Sequence, residues 1–84
     1  MKKENAKSTE SKMVLRWLFC QKNRLLTCGI SAAGAAFEVI TLPHWDISRS
    51  SLERFSSAKE ALERHAQIAA ALRADGWVPA AYTR

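Results

Sequence analysis

Long apolar runs are missing from this 84-residue sequence. No stretch approaches the roughly twenty consecutive apolar residues of a membrane span, and the amino-terminal lysines are not followed by the apolar block of a secretory signal. A cytoplasmic chain with no membrane partner is therefore expected. Cysteine is sparse, Cys20 and Cys28 being the only two, and a reducing compartment keeps both as thiols. Histidine is equally sparse. Neither the spacing of the cysteines nor that of His44 and His65 matches the close pairs of structural zinc ligands, so no metal is expected. Gly29 and Gly34 lack both the spacing and the following Lys of a phosphate loop, and no cofactor is implied. Cys28, His65 and Asp46 supply the residue types of a nucleophile, base and orienting acid, but no motif gathers them or builds an oxyanion site. The expected protein is not an enzyme.

What is present suits one small domain. Hydrophobic residues make up 48% of the chain, and three Trp and three Phe provide the large apolar surfaces that a modest core needs. Residues 1–12 are Lys, Glu, Ser and Asn with little apolar content, so ordering them recovers too little burial to offset their conformational entropy. They read as a flexible basic tail, and residues 13–84 as a single α+β domain.

Val14–Cys20 and Leu25–Ile30 are short, apolar segments separated by polar residues, the pattern of a β-hairpin turning at Lys22 and Asn23. That turn pairs Cys20 with Leu25 and Cys28 with Trp17. Leu15, Trp17, Phe19, Leu26, Cys28 and Ile30 then share a core face, while Arg16, Leu18, Cys20, Leu25 and Thr27 share the other, placing the two thiols on opposite sides. Ser31 to Ala35 reads as a small-residue loop and Ala36 to Leu42 as a third strand ended by Pro43. Leu52 to Phe55 makes a short fourth strand. Ser57 and Glu60 form a capping box, Ala61, Leu62, His65, Ile68, Ala69 and Leu72 recur at helical spacing, and Gly76 supplies a left-handed stop. An exposed Glu60–Arg64 pair is expected on this helix. Trp77 to Thr83 returns as a strand that Pro79 confines to an edge. The predicted fold is a small antiparallel sheet of three to five strands with one carboxy-terminal amphipathic helix packed across it.

Charge points to function. The net charge is +5, but Val14–Ile30 alone contributes +3 with no acidic residue, whereas Ser31–Ile47 contributes −2. Arg16, Lys22 and Arg24, extended by Arg49 and Arg54, are candidates for a basic hairpin face that meets the phosphates of DNA or RNA. The contrary observation is that Trp17 and Phe19 point into the core, leaving that face without stacking aromatics. A second candidate is the loop His44, Trp45 and Asp46, whose Trp suits either an anchor on an acidic or apolar protein surface or a plug over the core. A small regulatory binding module is the expected function, with nucleic acid the favoured partner and a protein-interaction module, inhibitor or adaptor, the alternative. Deleting residues 1–12 is expected to leave the thermal unfolding midpoint nearly unchanged. A fall of many degrees in calorimetry would show that the tail packs.

Overall fold

The computed structural model describes residues 12–83. Strands β1 (Lys12–Gln21), β2 (Arg24–Ala33) and β3 (Ala36–Pro43) form a meander, and a 3₁₀ turn (Ile47–Arg49) leads to β4 (Ser51–Phe55). Helix α1 (Ala58–Ala74) and β5 (Val78–Thr83) complete the chain. The strands lie in one antiparallel sheet in the order β4-β3-β2-β1-β5, with the helix across one face. This is the α+β architecture the sequence predicts. The tail expected over residues 1–12 lies outside the described residues except for Lys12, which opens β1 opposite Ala32.

The first hairpin has the expected register, with Cys20 opposite Leu25 and Trp17 opposite Cys28. Lys22 occupies the left-handed region, φ 57°, to close the turn. A register shift between Met13 and Leu15 marks a bulge at Val14. The second hairpin departs from expectation: β2 continues through Ser31, Ala32 and Ala33, and only Gly34 and Ala35 turn. Small side chains there signal a packed strand rather than a loop, because Ser31 pairs with Glu38 on one side and Met13 on the other.

The core lies between sheet and helix. Phe19, Leu26, Cys28, Ala69 and Trp77 form one buried cluster, and Ile30, Val39 and Ala61 form another, with Ile68 packed against both. Ala61 and Ala69 allow the helix to approach the sheet closely, since neither adds bulk beyond Cβ. Leu62, expected in the buried stripe, instead stands 53% exposed, because the stripe follows Ala61, His65, Ala69 and Leu72 and leaves residue 62 at its solvent edge. Ser57 caps the helix by accepting from the Glu60 amide at 3.2 Å. At the other end Trp77 N–H donates to Leu72 O and Gly76 N–H to Arg73 O, both bonds of a Schellman motif, with Gly76 at φ 96°. The helix stop therefore delivers Trp77 into the core.

Arg64 does not pair with Glu60. Its guanidinium reaches β4 and donates to both Glu53 carboxylate oxygens, at 2.7 and 3.2 Å, tying helix to sheet. This bidentate bond holds the exposed Glu53 carboxyl below its usual range.

Gly29 sits in mid-strand for a steric reason. A Cβ built there would lie 2.7 Å from the Leu15 carbonyl oxygen, which the bulged β1 brings over β2. Gly29→Ala is expected to destabilise the domain by about 1–3 kcal/mol through this backbone clash, although extended backbone normally favours Ala over Gly. Urea denaturation of the two proteins checks this, and an unchanged or raised midpoint contradicts it.

Candidate nucleic-acid interface

Antiparallel connectivity gathers three loops at one end of the sheet. The Lys22–Asn23 turn, the β3–β4 connection and the α1–β5 junction all lie there, because β1 ends, β2 begins, β3 ends and β5 begins at that edge. Gln21 Nε2 donates to Asp75 O at 2.8 Å, and His44 N–H donates to Leu25 O at 3.0 Å, joining the loops into one surface.

At its centre the Trp45 ring stacks on Trp77 with centroids 5.7 Å apart and planes inclined by 14°. The Arg24 guanidinium lies 4.8 Å from the Trp45 ring centre, a cation–π arrangement. Trp45 is thus both a cover for the core end and a surface residue, 39% exposed. Asp46 caps the 3₁₀ turn, accepting from Ser48 N–H at 3.2 Å and from Ser48 Oγ. That cap carries Arg49 in the last turn of the short helix. His44 turns the other way, and its Nε2 is hydrogen-bonded to Thr27 Oγ1 at 2.8 Å on the helix-free face.

The fold therefore brings Lys22, Arg24 and Trp45 together, with Arg49 in the adjoining loop, and sets Arg16 and Arg54 apart. Arg16 projects from the middle of β1 on the helix-free face. Arg54 is bound to Glu38 at 2.6 Å across β3 and β4. The helix-free face is mainly apolar, with Leu18, Ile40, Leu42 and Leu52 on it, so it is not the continuous basic surface expected from the hairpin alone. The Arg24–Trp45 contact is not legible in the sequence and follows from the observed strand pairing. Extending the β2–β3 register two residues beyond Leu26 and Pro43 places Arg24 opposite Trp45.

Cys28 and His65 are engaged in the core. Burial pushes the Cys28 thiol up to about 11. His65, buried in the helix stripe, donates from Nε2 to the Cys28 carbonyl at 3.2 Å, and Trp17 meets its ring edge-on at 5.2 Å. Asp46, the third member of the set considered above, belongs to the opposite role of capping the 3₁₀ turn. Among the described residues, no three or more His, Cys, Asp or Glu lie close enough to hold a metal ion.

Desolvation lowers the His65 pKa from its ordinary value of 6.5, and the bond to the Cys28 carbonyl only partly opposes this. A base whose folded pKa is depressed takes up its proton more readily when unfolded, so its stabilising contribution is full above 6.5 and is lost as pH falls through the folded value. Stability is expected to drop as pH falls below 6.5, and His65→Gln, which keeps a donor for the carbonyl but does not titrate, should flatten that drop. Denaturation midpoints of both proteins across the range test this, and parallel curves refute it. Set against protein-family models, curated proteins and solved structures, the chain matches none of them.

Proposed function

We propose that this chain is a small, non-enzymatic binding module that takes a nucleic-acid strand at the loop end of its sheet. The observation that supports this reading is the Arg24 guanidinium lying over a partly exposed Trp45, with Lys22 at the neighbouring turn. A cation for phosphate and a π-surface for a base, side by side, are the two parts of a single-strand platform. Stacking on an aromatic contributes roughly 1–3 kcal/mol per base and tolerates any sequence, since every base has a π-face. Arg24 occupies the place a base takes. In the bound state it moves from the ring to a phosphate, exchanging a cation–π contact for a charge-assisted hydrogen bond.

Trp77 gives the platform stiffness. It is buried and held by the helix stop, so the ring stacked upon it meets a strand with little rotational freedom left to lose. Asp46 and Asp75 temper the positive field at this end, which favours a partner that also stacks over one held by charge alone.

Fluorescence anisotropy with labelled single-stranded DNA and RNA dodecamers tests the proposal. The logarithm of the affinity should fall linearly with log salt, and the Lys22→Glu/Arg24→Glu double variant should lower the affinity about a hundredfold. Trp45→Ala should lower it about tenfold with a nearly unchanged salt slope. Arg16→Glu, distant from the platform, should have a much smaller effect. No salt-dependent binding by the native chain overturns the reading. In that case loss of a protein complex on Trp45→Ala, insensitive to salt, would identify the loop as a protein anchor instead.

A further inference from the structure

Arginine meets two kinds of partner among the described residues. Arg54 and Arg64 bind carboxylates, whereas Arg24 and Arg73 lie over indoles. The two indole pairs occupy separate places. Arg24 covers Trp45 at the loop end, while Arg73, in the last turn of α1, has its guanidinium carbon 5.6 Å from the centre of the Trp17 ring on β1. Tyr82 of β5 lies directly opposite Trp17 and meets it edge-on, with centroids 4.7 Å apart and planes at 83°. Tyr82 is 58% exposed, Arg73 is exposed and Trp17 is half-buried. Core packing accounts for the contacts of Trp17 with Phe19 and His65, but not for an exposed tyrosine and a guanidinium beside the same ring. A guanidinium stacked on a ring keeps its N–H donors around its rim, where they suit phosphate.

We infer that the strand taken at the loop end runs on along β5 and stacks a second base on Tyr82, with Arg73 holding a phosphate beside it. This rests on the reading of the loop end proposed above. The first support is connectivity. Strands β2 and β1 lie between β3 and β5, so Arg24 and Lys22 stand between Trp45 and the start of β5. The second is the character of β5. It carries no charged residue, exposes Ala80 and Ala81, and lies at the sheet edge, where its outer backbone amides face solvent and can donate to phosphate. The third is length. Val78 is opposite Cys20 and Tyr82 opposite Trp17, so three strand spacings across the loop end and three residues of rise make a route of about 25 Å. Such a route holds several nucleotides, in keeping with the roughly 4–16 that single-strand sites occupy. Arg16, opposite Thr83, sits on the other face of the sheet and takes no part.

Fluorescence anisotropy of the full chain with a labelled single-stranded tetranucleotide and a labelled dodecamer tests the inference. The Arg73→Glu/Tyr82→Ala double variant should lower dodecamer affinity at least about tenfold. It should leave the tetranucleotide within about threefold, because the loop end, with two cations, holds the short strand. Tyr82→Phe, which keeps the π-face, should bind the dodecamer as the native chain does. Should the double variant fail to fold, the native chain still decides by NMR. The dodecamer should shift the indole N–H signals of Trp17 and Trp45 and the ring signals of Tyr82, the only tyrosine, whereas the tetranucleotide should shift Trp45 alone among them. A dodecamer that shifts Trp45 but not Trp17 or Tyr82, or that binds the double variant as tightly as the native chain, overturns the inference and leaves the loop-end reading standing. One that shifts Trp17 and Tyr82 but not Trp45 overturns both, as does a native chain that binds neither strand.

Discussion

A sheet has two faces, and the described residues supply one α-helix to cover them. Apolar side chains on an extended strand alternate between faces, so the central strand β2 sends Leu26, Cys28 and Ile30 under α1 and Leu25, Thr27 and Gly29 to the opposite side. The helix-side face becomes the core, closed by Ala61, His65 and Ala69 at close approach. The far face keeps Leu18, Ile40, Leu42 and Leu52 without a second layer among the described residues. That asymmetry accounts for the position of the thiols and for the division of the cations between two unrelated surfaces.

The polar groups in this arrangement are closely satisfied. No buried side-chain nitrogen or oxygen among the described residues lacks a hydrogen-bond partner. His65 uses a strand carbonyl, Thr27 uses His44, and Glu38 uses Arg54. Each of these bonds crosses from one element to another, and unmet buried donors cost more than ordinary hydrogen bonds contribute. They therefore specify the packing of α1, the β3–β4 connection and β4 against the sheet rather than simply adding to stability. The Glu53–Arg64 pair is different in kind, since both partners are well exposed and screened by solvent.

The proposed binding site lies where connectivity, not composition, brings residues together. The loop end unites a turn, a connection and a helix stop from three distant parts of the chain. Trp77 is placed by the Schellman bonds of α1, Trp45 stacks upon it, and Arg24 lies over Trp45. A mutation in the helix stop is thus expected to reach Trp45 and Arg24 through the stack, whereas changes on the apolar sheet face leave that path intact.

The sequence by itself determined the presence of the strands and of α1, the register of the first hairpin, the helix caps and the opposite placement of Cys20 and Cys28. These follow from local rules: alternation at period two, helical spacing at three and four, and capping residues at fixed offsets. Tertiary structure alone decided which cations share a surface. Arg24 and Arg54 look alike in the sequence, but one lies over an indole and the other binds a carboxylate, because long side chains choose partners across strands whose pairing the local signal does not specify. It also decided that Arg64 reaches Glu53 rather than Glu60, since a bidentate partner on β4 competes better than a single exposed turn of helix. The strand character of Ser31 to Ala33 was hidden for the same reason. Small residues carry little intrinsic signal, and only their neighbours Met13, Glu38 and Phe37 reveal a ladder.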